Sequence, residues 1–198
     1  VEESLLSFEE VPWSWEDGLQ VPTGYSSYVL ARWGDPLVSG VANFHPATIT
    51  PEMQRRSFGT GCDYTAFFPD SKNNHKGVLC VNHEFPDRKH MFSGLEMTKD
   101  RLHVELLSLG VSVLAIKKDA KGKWEIDIDD TRNRRILAET ACRITGPVAG
   151  HPRMFTNASK DGRTAYGTLG NCAGGVTPWG TYLTAEENVQ NYLLEIRA

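Results

Sequence analysis

The run NCAGGVTPWGTYLTAEEN, from Asn171 to Asn188, leaves this chain few local structures to choose from. Trp179, Thr181, Leu183 and Ala185 alternate with Gly180, Tyr182 and Thr184, and a period of two is the signature of a strand. Gly174, Gly175 and Pro178 predict a turn that brings backbone close to a neighbour. The whole reads as a hairpin, with Cys172 near the end of one strand and Glu186, Glu187 and Asn188 at the far end of the next. Glu-Glu-Asn is a poor ending for a hydrophobic strand but a good way to present oxygen ligands to a hard cation. Adjacent strand residues point to opposite faces, so one of the two carboxylates is enough to line a site. Glu187 shares its face with Trp179 and Leu183, where a bare carboxylate is costly unless a cation neutralises it. Glu187 is therefore the expected ligand of the pair. Alone, Cys172 would read as a small buried hydrophobe; beside this carboxylate strand it becomes a candidate metal ligand.

The rest of the chain predicts more short strands. Residues 1–27 carry Trp13, Trp15, Pro12, Pro22 and Gly24 with little periodicity, and read as an irregular segment wrapping something larger. Tyr28 to Trp33, Asp63 to Phe68, Gly77 to His83, Val111 to Lys117, Trp124 to Ile128, Arg135 to Thr140 and Thr164 to Leu169 are the expected strands. Pro51 to Arg55 reads as a helical turn. One clear helix is expected near residues 98–109, capped by Thr98, with Leu102, Leu106 and Leu109 on its apolar face and Gly110 as its stop. Strands in meander order with long loops predict a mainly β fold, either a sandwich or propeller blades. No fixed internal repeat decides between them.

The net charge of −4 gives no reason to expect nucleic acid as a partner, and Lys117, Lys118, Lys121 and Lys123 read as a solvated hairpin turn. No apolar run approaches the roughly 18 residues of a membrane span. The four cysteines, Cys62, Cys80, Cys142 and Cys172, lack the CxxC spacing of a zinc knuckle. Sequence alone leaves the disulfide state of Cys62, Cys80 and Cys142 open. Dinucleotide, P-loop, zincin and serine-hydrolase motifs are absent from the sequence. The chain opens on Val1 rather than Met, which suggests a processed or cut chain.

Two further clusters are candidates for chemistry. Asn82, His83 and Glu84 leave a buried strand together, either as a strand meeting solvent or as a ligand cluster of amide, imidazole and carboxylate. Gly146 to Pro152 is a rigid loop. Its His151 either hydrogen-bonds to backbone or reaches an anion or a metal-bound carboxylate.

Several blocks resemble the PhoX-type alkaline phosphatases, in family order. They are GYSSYVLARWGDPL from Gly24, DYTAFFP from Asp63, GVLCVNHE from Gly77, GVSVLAI from Gly110, NRRI from Asn133, TGPVAGHPRM from Thr145 and GTLGNCAGGVTPWGTYLTAEEN from Gly167. The resemblance implies a calcium-dependent, iron-containing phosphomonoesterase on a β-propeller, exported by the twin-arginine route and so periplasmic or secreted. It implies a thiolate and glutamates around an iron–calcium cluster. Cys172 falls at the metal-bridging cysteine and Glu187 at a carboxylate ligand. Glu84 and Asn82 stand in a block near the centre. His83, His151, Asn171 and Asn188 are expected behind the ligands or facing phosphate, and no catalytic residue is assigned. Cys62 departs from the family pattern, as does Leu193 to Ala198. Family members are far longer, with further carboxylates and a phosphate-binding arginine downstream. The expectation is an N-terminal fragment, residues 1–198, of one propeller phosphatase domain, holding part of the metal site and prone to self-association. The alternative is an inactive β-rich binding or interaction module on the same scaffold.

Overall fold

The computed structural model describes residues 8–188; the divergent tail from Leu193 to Ala198 lies outside them. The chain divides into two compact units, Val1–Leu30 and Ala31–Ala198. The described part of the first has neither helix nor strand. Within it the Trp13 and Trp15 rings meet edge-on at 4.4 Å, and Phe8 meets Tyr25 at 5.6 Å.

The second unit is mainly β, part of a β-propeller. Its largest sheet starts from β1 (Cys62–Asp70) and β2 (Asn73–His83), an antiparallel hairpin. The Asp70 carboxylate closes the turn by accepting from the Lys72 amide at 2.8 Å. The α-helical pieces among the described residues are α1 (Pro51–Arg55), α2 (Arg88–Met91) and α3 (Lys99–Leu107). α2 and α3 lie between β2 and the next strand, β3 (Gly110–Lys118), which pairs with β2 without a break from Lys76↔Lys117 to His83↔Gly110. β3 is the central strand, and Val111, Val113, Leu114, Ala115 and Ile116 are all buried along it.

The outer edge of β3 is shared. β4 (Trp124–Ile126) pairs with its second half and β5 (Arg134–Ile136) with its first. Asn133 bridges the junction, since its Oδ1 accepts from the Ala115 amide at 2.6 Å and its Nδ2 donates to Asp127 O at 2.8 Å. The five strands thus fill four antiparallel positions, the width of a propeller blade. Two further hairpins follow. β6 (Ala141–Arg143) pairs with β7 (Thr164–Tyr166), and β8 (Asn171–Val176) pairs with β9 (Tyr182–Glu186).

Arg135 ties the sheet to its surroundings. Its guanidinium is buried and donates to Ser57 O and Leu109 O, both at 2.7 Å, and to Ser108 O at 3.3 Å. It thereby satisfies carbonyls at the end of α3, where a cation is favoured. Burial lowers its pKa to about 9, so it stays charged at neutral pH.

The structure differs from the sequence expectations at several places: Gly174 and Gly175 lie inside β8 and not in a turn, and the strands expected from Trp124 and Thr164 end at Ile126 and Tyr166. Tyr28 to Trp33 is not a strand. Asp35 turns the chain back there, accepting from the Arg32 amide at 2.7 Å and donating its own amide to Arg32 O at 3.0 Å. The α3 helix forms, with Thr98 capping Arg101 N, but it buries Val104 and Leu107 while Leu102 and Leu106 are 47% and 36% exposed. Both stripes are apolar, and Val104 is the one that meets the cluster of Ile49, Met91 and Phe92. The expected strand after Arg135 stops at Ile136, because Leu137 and Thr140 bond each other in a turn. Trp179 lies in the turn before β9, not on it, where Gly180 N bonds Thr177 O at 2.9 Å.

Candidate metal centre

Three segments meet at one point. Asp63 is the second residue of β1, Glu84 follows the last residue of β2, and Cys172 is the second residue of β8. The pairing Cys62↔His83 sets the start of β1 beside the end of β2, so Asp63 and Glu84 become neighbours. The Glu84 amide then donates to Gly61 O at 2.8 Å, which fixes where the chain leaves the sheet. One carboxylate oxygen each from Asp63 and Glu84 and the Cys172 Sγ all lie within 4.8 Å of one another.

Glu187 joins this group from the other side. It follows β9, and its amide donates to Gly170 O at 2.7 Å. Gly170 has φ +60, and a Cβ there would stand 2.3 Å from Glu187 O, so only glycine permits this approach. The Cys172 thiol is pushed up to about 12, first by its bond to the Glu187 carboxylate and then by its bond to Asp63. Glu84 is raised too, by partial burial and then by the charge of Asp63.

At neutral pH the thiol therefore keeps its proton, and acids crowd an already acidic cluster. A cation would relieve that crowding, and binding it would release the thiol proton. The donors fit a mixed site, sulfur and oxygen for a transition metal and oxygen for a hard cation. They do not complete a calcium site, which takes about six to eight oxygens.

Of the residues expected from sequence, Cys172, Glu84 and Glu187 come together. The reason given for Glu187 does not hold, since Trp179 and Leu183 are 78% and 52% exposed and form no apolar wall. Glu187 is near the thiol because of where β9 ends. Its neighbour Glu186 is engaged elsewhere, accepting from Thr168 Oγ1 at 2.6 Å and from Leu169 N at 2.9 Å.

Asn82 is fully buried and its amide is saturated. Its Oδ1 accepts from Tyr182 OH at 2.7 Å and Thr184 Oγ1 at 2.9 Å, and its Nδ2 donates to Cys172 O at 2.8 Å and Ala173 O at 3.3 Å. The expectation of Asn82 as a ligand meets an oxygen with both lone pairs already engaged.

His83 is likewise buried. Its Nδ1 lies 3.0 Å from Thr60 O, which can only accept, so the proton sits there and Nε2 accepts from Ser112 Oγ at 2.7 Å. Burial, and then the charge of Arg135, hold its pKa well below the usual value, so the ring is a neutral core group. His151 is exposed and caps the turn Pro152–Met154 by accepting from Arg153 N at 3.2 Å. Asn171 is buried, and its Nδ2 donates to Thr168 Oγ1 and Thr184 Oγ1, leaving Oδ1 without a protein partner. Asn188 takes φ 55 just beyond Glu187, and its Nδ2 donates to Glu187 Oε1 at 3.4 Å.

Asp63 was not singled out by its sequence context. A lone Asp opening a strand carries no signal by itself. The signal lay in the hairpin, which sets the first residues of DYTAFF opposite the end of GVLCVNH. All four cysteines carry free thiols, so no disulfide competes for Cys172.

A partial propeller here gathers a thiol and carboxylates at the ends of its strands, a donor set that could hold a metal ion. The family model of the alkaline phosphatase PhoX matches residues 6–197, and the chain belongs to that family. It is similar to the solved structure of Pseudomonas fluorescens PhoX in complex with vanadate, a transition state analogue. The two share 34% identity at a TM-score of 0.88, over 96% of this chain and 33% of the other. This chain thus spans about a third of that chain's length. A comparison with curated proteins gave no match.

Proposed function

We propose that this chain carries part of the metal site of a phosphatase that hydrolyses phosphate monoesters. The observation that carries the reading is the meeting of Asp63, Glu84 and Cys172 within 4.8 Å in a chain of the PhoX family. A phosphate monoester is a dianion, and its hydrolysis gains from cations that neutralise developing charge and align the attacking and leaving oxygens. That the related Pseudomonas protein holds vanadate, a transition state analogue, supports phosphoryl chemistry.

Cys172 would hold iron through its thiolate, with Asp63, Glu84 and Glu187 supplying oxygen to iron and calcium. The chain's own part is to hold these donors in place and to surrender the thiol proton when metal binds. Asn171 and Asn188 lie next to the ligands in sequence, the first braced on Thr168 and Thr184 and the second bonded to the Glu187 carboxylate. The remaining oxygens and the groups that grip phosphate belong to the part of a PhoX-length protein that this chain does not span. A periplasmic or secreted location suits the family, and among the described residues no helix is long and apolar enough to cross a membrane.

The test is metal analysis of the natively expressed protein together with an assay on a phosphomonoester. Bound iron and calcium with turnover that disappears in Asp63→Asn support the reading. Absence of both metals from active protein contradicts it. Metal-free, inactive protein would instead favour a binding module on the same scaffold.

A further inference from the structure

We infer that Asn82 is a positioning residue, and that its buried amide sets the Cys172 thiol against Asp63 and Glu84. The inference rests on the metal-site reading for its consequence, but its geometry stands without metal.

The β8–β9 hairpin forms its own two-stranded sheet, and no ladder of backbone bonds joins it to β1 and β2. Something else must dock the strand that carries the thiol on the strands that carry the carboxylates. The β8–β9 register shifts between Asn171 and Gly174. Within that shift Cys172 and Ala173 turn their carbonyls to the Asn82 Nδ2, at 2.8 and 3.3 Å. From the other strand of the same hairpin, Tyr182 OH and Thr184 Oγ1 donate to the Asn82 Oδ1 at 2.7 and 2.9 Å.

One side chain on β2 therefore grips both strands of the hairpin, and all its hydrogen-bonding capacity is used. A saturated, buried polar group specifies a single arrangement, because any slip leaves a donor or acceptor unpaired out of water. Asn82 stands two residues before Glu84, so the same strand end holds the thiol and supplies the carboxylate. A Cβ at Gly174 would stand 2.1 Å from Tyr64 Cδ1, so the hairpin also seats directly on β1 beside Asp63. Asn82 acts on metal through Cys172 and is not itself a ligand.

The test has a metal-free arm and a metal arm, each run on the protein and its variants. In Asn82→Asp the oxygen that replaces Nδ2 faces two carbonyls. Tyr182→Phe and Thr184→Val each remove one donor to Asn82; the first also removes the hydroxyl's 3.1 Å contact with Tyr64 O and the second the acceptor of the Asn171 amide, so loosening common to both variants decides the question if Asn82→Asp does not fold. Thr98→Ala, which removes the α3 cap, controls for lost stability alone. Without metal, amide hydrogen exchange across Asn171–Val176 should speed up about tenfold in Asn82→Asp and less in the other two, with β3 unchanged. With Co2+ as probe, the thiolate-to-cobalt charge-transfer band should weaken and affinity fall about 10- to 100-fold in Asn82→Asp. Thr98→Ala should keep the wild-type band.

Unchanged exchange in all three variants overturns the inference, whatever the metal result. A wild-type band and affinity in Asn82→Asp, when Asp63→Asn loses both, overturns it as well. A wild-type protein with no charge-transfer band refutes the metal reading instead, and the exchange data still decide whether Asn82 docks the hairpin.

Discussion

Asp63 and Glu84 meet on a diagonal across the β1–β2 hairpin, because the pairing of Cys62 with His83 sets Asp63 one step inside the ladder and Glu84 one step beyond it. Backbone register, not proximity in sequence, makes the acidic half of the site. Cys172 then arrives from a separate hairpin to complete the group. The consequences are open to measurement.

Calcium should be required for activity of the natively expressed protein. Chelation should remove phosphomonoester hydrolysis and added calcium should restore it. Glu84→Gln and Glu187→Gln should each raise the calcium needed for half-maximal activity by about tenfold or more if each carboxylate is a charged ligand of the ion. A Glu187→Gln protein with wild-type calcium dependence would remove Glu187 from the site.

His83 predicts an acid-sensitive fold. In the unfolded chain its imidazole takes up a proton near 6.5, whereas in the folded chain burial keeps it neutral to well below that. Between those two values the unfolded state binds more protons, so stability rises with pH and levels off above the unfolded value. The stability is lost as pH falls through that window, by at most about 1.4 kcal/mol per pH unit. Melting temperature measured from about pH 5 to 8 should show this slope, and His83→Gln should flatten it. An equal slope in the variant would place the acid sensitivity elsewhere.

Gly174 should not tolerate a methyl group. Alanine there would press on the Tyr64 ring, which is itself packed 5.6 Å from Tyr182. Gly174→Ala should cost about 1–3 kcal/mol and loosen the hairpin on the sheet. Urea unfolding measures the first, and hydrogen exchange across β8 the second. A variant of wild-type stability would mean that the hairpin seats differently.

How much of this the sequence showed depended on how local the cause was. The β1–β2 hairpin was legible because turn residues and alternation lie side by side. The helix from Thr98 was legible from its cap and stop. Its buried face was not, because Leu102 and Leu106 compete with Val104 and Leu107 and only tertiary packing chooses. Cys172 and Glu84 were legible as chemistry out of place in their strands. Asp63 was not, since register alone gives it neighbours. Asn82 and His83 read either as a strand end meeting solvent or as members of a ligand cluster, but the β8–β9 hairpin closes over the first and Thr60 and Ser112 bond the second.

The 198-residue chain expressed alone should self-associate. β1 borders the main sheet, and Leu102, Leu106 and Phe85 are exposed apolar groups of the same unit. Open strand edges and apolar patches invite pairing with another copy. Light scattering coupled to size exclusion should show mass rising with concentration. A monodisperse monomer at all concentrations would mean that these surfaces are self-sufficient.

Ligation of metal by Cys172 together with Asp63 and Glu84 has a spectroscopic signature. Iron X-ray absorption on the natively expressed protein tests it most directly. A sulfur scatterer is expected at bonding distance, about 2.3 Å as in metal–thiolate bonds generally, and it should disappear with the bound iron in Cys172→Ser. Full iron content and an unchanged spectrum in Cys172→Ser would contradict it.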